Sequence, residues 1–459
     1  MTTNIITKKF VPCIYLYRGY AVKSLKDLTI VDTDPLRLAR YYSEHNADEL
    51  ILFDLSEQAA KEDALKNAEP AWAADGVGQA GINNADALHE EALDLMKEIC
   101  ACVEVDVIGG GNVKRMEDIK KILYTGCKKA ILDYDKASNI EITKEVFSKF
   151  GADKLVIAFE DPTAIASYKA LVESSACSLL LMNPHKLRQT QESFALPFYV
   201  QINQIALNKL LEIFSYENVC GITGNTINDN MTQILSLKDL CIENGLPVET
   251  LTPAFSWQEL KKNNDGMVPV IVQDYKTQEV LMLAYMNEEA YDATLRCGKM
   301  TYFSRSRNEL WLKGETSGHY QYVKSLTADC DLDTILAKVS QVGAACHTGS
   351  RSCFFNQIAK KDYEESSNPL MVFEEVYNVI KDRKLHPKEG SYTNYLFDKG
   401  IDKILKKLGE EATEIVIAAK NPNPNEVTYE ISDFLYHCMV LMAEKGLTWE
   451  EITKELANR

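Results

Sequence analysis

The chain has 459 residues, 46% hydrophobic and 25% charged, with 22 Gly and 13 Pro, a composition that excludes collagen-like, coiled-coil and disordered architectures and predicts roughly three domains. Lys and Arg number 50 against 67 Asp and Glu, and the formal charge of -17 argues against nucleic acid as a partner, leaving small phosphorylated substrates where metals invert the local sign. No run nears the ~20 apolar residues of a membrane span, and MTTNIITKKF lacks a signal peptide's apolar centre, so a soluble, cytoplasmic protein with no membrane partner is expected, its 12 Cys serving as thiols, metal ligands or small core residues.

Over the first 250 or so residues, short Val/Ile/Leu-rich runs alternate with helical patterns. Strands are expected near Phe10 to Tyr17, Glu49 to Leu55, Val103 to Ile108, Lys128 to Leu132, Lys154 to Glu160, Cys177 to Met182, Pro197 to Ile202 and Val219 to Ile222, with helices such as Pro35 to His45 and Met116 to Tyr124. Eight β/α units predict an α/β (βα)8-type barrel over 1–252, with an open doubly wound sheet as the alternative. The stretch EPAWAADGVGQAGINN is an insertion in the second barrel loop, with a lid and a disordered segment as its two readings.

Three segments of this region, VPCIYLYRGYAVKS, DELILFDLSE and VIGGGNVKRMEDIKKILYTGCKKAIL, resemble the barrel shared by the cyclase subunit of imidazole glycerol phosphate synthase and the isomerase one step earlier in histidine synthesis. The resemblance implies an anion site at Lys23 and Gly109-Gly110-Gly111, since glycines let backbone N–H groups approach a phosphate; a tight turn is the alternative. Both families place catalytic aspartates at positions that align with Tyr15 and Glu160, and a phenol is a poor base at neutral pH. QINQI (201–205) also replaces the glycine-rich turn after the seventh strand. The barrel is therefore expected to have lost its catalysis, and an active isomerase barrel is the alternative.

A polar stretch, Lys261 to Gly266, links to a second domain over 266–360, where short turn-separated strands predict an α+β unit with helices only at Glu288 to Arg296 and Leu332 to Val342. In DCDLD, an extended backbone would put Asp329, Asp331 and Asp333 on one face and Cys330 on the other. GAACHTGSRSCFF adds Cys346, His347 and Cys353. Three thiols suit zinc with a fourth position open for water, and three carboxylates suit magnesium; the spacing, which lacks a CxxC knuckle, by itself favours a structural zinc site or plain core cysteines. PVIVQDYKTQEVLMLAYMNEEA, YFSRSRNELWLKGETSGHYQYVKSLTADCDLD and ACHTGSRSCFF resemble phosphoribosyl-AMP cyclohydrolase. That resemblance implies a homodimer whose zinc site takes thiols from both subunits, magnesium on the three aspartates, and hydrolytic opening of the adenine ring at N1–C6. His347 is the expected general acid/base, and Arg305, Arg307, Lys313 and His319 the expected phosphate-binding residues.

A second polar link, Lys360 to Asn368, precedes a region with helical apolar spacing throughout, which predicts an all-α bundle over 368–459. Glu411 and Glu414 are neighbours on one helix face, and Glu430 and Asp433 repeat the device on the next. Four clustered acids call for a cation, Mg2+ with a diphosphate being the natural guest; two solvated acidic faces are the alternative. SYTNYLFDKGIDKILKKLGEEATEIVIAAKN with EISDFLYHCMVLM resembles phosphoribosyl-ATP pyrophosphohydrolase. This implies hydrolysis of phosphoribosyl-ATP to phosphoribosyl-AMP and pyrophosphate, with Glu411 and Glu414 catalytic and Lys407 on phosphate. A regulatory protein that only senses such nucleotides is the alternative for the whole chain.

Overall fold

The computed structural model describes residues 6–66, 80–359 and 369–457, and the chain divides into two units, 1–356 and 357–459. Most of the EPAWAADGVGQAGINN insertion lies outside the described residues; from Ala80 the chain is helical to Cys102. No helix among the described residues is long and apolar enough to cross a membrane.

The first unit opens with a closed ring of parallel strands. Pro12, which cannot donate to a ladder, splits the first strand into Lys9–Val11 and Cys13–Tyr17. The first piece pairs with Val219–Thr223 and the second with Glu49–Asp54, so one strand joins both ends of the sheet. Asp106–Gly110, Lys129–Asp133, Leu155–Phe159, Ser178–Leu181 and Phe198–Gln201 complete the eight in sequence order, with helices between them. This is the expected (βα)8 barrel. Alternation along each strand sends Leu50, Leu52, Leu155 and Ile157 outward against the helices, and Ile51, Phe53, Val156 and Ala158 inward.

Several buried polar residues of the barrel are hydrogen-bonded to one another, whereas, among the described residues, the Thr223 and Thr226 hydroxyls are buried without a partner. Near its N-terminal end, Glu49 accepts from Lys9 Nζ at 2.8 Å and from Tyr199 OH at 2.5 Å. Toward the other end, Tyr15 is fully buried, stacks on Phe53 at 5.3 Å, and its hydroxyl oxygen accepts from Gln201 Nε2 at 2.6 Å.

The central region is a four-stranded sheet, Val280–Met286, Val268–Asp274, Ile335–Gln341 and Gln321–Ala328 in spatial order, with the hairpin Thr301–Ser304/Glu309–Leu312 and the helix Glu288–Cys297. Trp257 and Leu260, upstream of the expected start at 266, already belong to its core. The helix expected over Leu332 to Val342 is instead the strand Ile335–Gln341: Ile335, Ala337 and Val339 are buried in alternation, paired in parallel with Val270–Asp274.

The second unit is all helical: Pro369–Leu385, Tyr392–Lys399, Ile401–Ala418, Pro424–Lys445 and Trp449–Ala457. Its core is Tyr377, Ile380, Leu396, Ile404, Met439 and Val440. Gly446 ends the 22-residue helix in the left-handed region at φ 70°.

Candidate active sites

The three aspartates of DCDLD are not on a strand. The segment is a turn in which Leu332 has φ 63° and Asp329 Oδ1 accepts from the backbone N–H of Asp333 at 3.0 Å and of Thr334 at 3.2 Å. Strand alternation is thus not what gathers the acids; the turn is, bringing one oxygen from each of Asp329, Asp331 and Asp333 within 4.8 Å of one another. Against desolvation, those backbone donors hold the Asp329 carboxyl below its ordinary value. Lys261 Nζ lies 3.6 Å from Asp331.

Cys346 sits in a second turn, its N–H donating to Ser350 O and its C=O accepting from Gly349 N–H. The Thr348 hydroxyl donates to its sulfur at 3.1 Å and holds the thiol below its usual pKa, with Cys353 also in hydrogen-bonding range. Burial raises the Cys353 thiol. Soft donors suit zinc and the turn of hard oxygens suits magnesium, so both donor sets fit the expected ions. Among the described residues, Cys330 does not join Cys346 and Cys353 in a three-ligand group; it lies exposed on the aspartate turn.

His347 is exposed, with Nδ1 4.0 Å from Cys346 Sγ. Arg305 lies over the Tyr285 ring at 3.9 Å and Arg307 pairs with Glu309 at 3.2 Å, both on the exposed hairpin turn. Lys313 is 5% exposed; burial lowers its pKa, while the charges of Cys353 and Cys346 oppose the shift. It thus sits beside the thiols. His319 packs on Gly343, where a Cβ would lie 2.5 Å from the imidazole.

In the helical unit, Glu411 of Ile401–Ala418 and Glu430 and Asp433 of Pro424–Lys445 bring one oxygen each within 4.8 Å of one another. Desolvation, and then Glu414, Glu411 and Asp433, raise the Glu430 carboxyl above its ordinary value. Close like charges of this kind suit a divalent cation. Lys407 Nζ is 3.0 Å from Glu410 and 3.7 Å from Glu411. Two residues at this site were not anticipated from sequence. His437, 4% exposed, has Nδ1 2.8 Å from Asp433 O, so Nδ1 carries the proton and Nε2 accepts from Tyr392 OH at 3.1 Å. The available signal was spacing: His437 follows Asp433 by four and Glu430 by seven, on one helix face.

The barrel glycines answer to packing. A Cβ on Gly109 would lie 2.6 Å from Ile122, on Gly110 2.8 Å from Ile131, and on Gly111, at φ 93°, 2.2 Å from Asp54 O. Lys23 Nζ lies 3.7 Å from Asp27. Of the two positions aligned with catalytic aspartates, Tyr15 is buried and its hydroxyl held well above its ordinary pKa by desolvation and Cys13, while Glu160 is exposed.

Residues 282–355 match the phosphoribosyl-AMP cyclohydrolase family, 373–459 the phosphoribosyl-ATP pyrophosphohydrolase family, and 71–180 the family described as histidine biosynthesis protein. The chain is 54% identical over 210 residues to the histidine biosynthesis bifunctional protein HisIE of Thermoanaerobacter pseudethanolicus, covering 43% of this chain and 97% of that one. It is 47% identical over 201 residues to the protein of the same description from Bacillus subtilis, covering 44% and 95%.

Proposed function

The chain belongs to the bifunctional HisIE family of histidine biosynthesis, and we propose that its two metal-type clusters run the family's two hydrolyses separately while the barrel does no chemistry. It is a phosphoribosyl-ATP pyrophosphohydrolase and a phosphoribosyl-AMP cyclohydrolase, acting at steps two and three of the pathway.

At the helical site, Glu411, Glu430 and Asp433, with Glu414 beside Glu430, hold magnesium, which when bound offsets the charge of the triphosphate. Lys407 offers a cation to the phosphates. His437 fixes the site's shape, because its protonated Nδ1 is tied to Asp433 O and its Nε2 to Tyr392.

At the central site, Cys346 and Cys353 would hold zinc, which when bound would lower the pKa of a water toward ~7 and so supply hydrolytic chemistry at C6 of the N1-ribosylated adenine. The exposed Cys330 completes the site from a second copy, making the enzyme a homodimer, and Asp329, Asp331 and Asp333 hold magnesium. His347 moves the proton through its ring nitrogens. Arg305, Arg307 and His319 take the substrate phosphates, and the buried cation of Lys313 offsets the thiolate charge.

What supports a silent barrel is Tyr15: buried, stacked and bonded to Gln201 where a catalytic carboxylate would stand. The observation that carries the whole reading is that the thiol pair and both carboxylate clusters fall inside the two family-matched stretches. Elemental analysis of unchelated protein, with assays of both steps, tests it. Zinc should be present, chelation should stop ring opening, and magnesium alone should sustain pyrophosphate release.

A further inference from the structure

The central sheet and the barrel belong to one unit, and their contact is charged and directional. Lys299, 6% exposed, donates from Nζ to the carbonyl oxygen of Glu44, the last residue of the helix Pro35–Glu44, where the helix dipole favours a cation. The same Nζ lies over Tyr320 at 5.2 Å and Tyr322 at 5.9 Å. Glu104, just ahead of the third barrel strand, accepts from Lys324 Nζ at 2.8 Å through one oxygen and from Ser340 Oγ at 2.6 Å through the other. Its backbone N–H donates to Ser43 Oγ at 3.3 Å, tying it to the same helix. Arg296 Nη2 meets Asp239 at 2.8 Å. The cations are on the central region; the acids and the helix end are on the barrel.

These contacts converge on one element. Lys324, Tyr322 and the bridge from Lys299 to Tyr322 are on the strand Gln321–Ala328, and Ser340 is on its neighbour Ile335–Gln341. The first strand runs at one end from His319 and Tyr320 and at the other into Asp329. Residues in the expected substrate loop and in the magnesium turn are therefore anchored by a strand that the barrel grips.

We propose that the barrel is a built-in brace for the cyclohydrolase, in which Glu104 and the C-terminus of Pro35–Glu44 are positioning groups that hold Gln321–Ala328 in working register. This rests on the cyclohydrolase assignment of the central region and gives the otherwise silent barrel a task. The brace acts through Lys299 and Lys324 and touches no substrate itself.

Charge reversal in the full chain tests it. Glu104→Lys or Lys324→Glu alone should lower kcat/KM for ring opening about threefold or more, and the double reversal should restore at least half of the loss, because the attraction returns with its sign exchanged. Lys299→Met should speed amide exchange across 314–328, and pyrophosphate release should be unchanged in every variant. Wild-type kinetics in both single reversals with unaltered exchange in Lys299→Met would overturn the brace, as would a double reversal no better than the singles. Absence of ring opening by the unaltered chain would instead remove the cyclohydrolase assignment on which it rests.

Discussion

His437 Nδ1 lies 3.9 Å from Glu411 Oε1, so a buried imidazole on one helix backs the acid that faces it from another. Both are about nine-tenths or more buried, which makes the pair part of the helical core as well as of the acid cluster. Removing the ring leaves Tyr392 OH without its acceptor and Glu411 without its neighbour. His437→Ala should cut pyrophosphate release about tenfold and raise the magnesium needed for half-maximal rate, with ring opening unchanged. Titrating magnesium against pyrophosphate release checks this.

The charge cluster around Glu430 sets a pH dependence. Desolvation and then Glu414, Glu411 and Asp433 raise its pKa, so it takes up a proton at higher pH than an ordinary glutamate. That proton competes with a divalent cation. The magnesium midpoint should therefore rise as pH falls from about 8 to about 5, beginning above the range of an isolated carboxylate. Calorimetric magnesium titrations across that range would show it; a midpoint independent of pH would not fit.

Gly111 is expected to be intolerant of any side chain. At φ 93°, with Asp54 O 2.2 Å from an added Cβ, Gly111→Ala combines backbone strain with a backbone clash and should destabilise the first unit by about 3 kcal/mol or more. Thermal unfolding measures the loss.

If the zinc site is shared between subunits, inactive chains should complement. Cys330→Ser and Cys346→Ser should each bind no zinc alone. Randomly exchanged dimers should regain about a quarter of the ring-opening activity, since half the dimers are mixed and each mixed dimer holds one intact site. Mixed dimers without zinc would place all three thiols in one subunit.

Much of the fold was legible because the barrel strands are buried on both faces and therefore read as continuous apolar runs separated by helical spacing. Ile335–Gln341 was not legible: Leu332, Ile335, Leu336, Val339 and Val342 recur at helical spacing, and only pairing with Val270–Asp274 fixes the strand. Asp329, Asp331 and Asp333 are recognisable in the sequence as a group, but a turn held by Asp329, and not strand alternation, gathers them. Lys313 was legible as a charge and not as a buried one. The hold of Glu104 on Lys324 spans 220 positions, and no local pattern carries such a contact.

The central claim, two separate hydrolytic sites in one polypeptide, is tested most directly by supplying phosphoribosyl-ATP to Cys346→Ser and Glu411→Gln and following pyrophosphate and ring-opened product together. Cys346→Ser should release pyrophosphate at the normal rate and stop at phosphoribosyl-AMP; Glu411→Gln should leave phosphoribosyl-ATP intact yet open the ring of added phosphoribosyl-AMP. Loss of both activities in either variant would contradict the account.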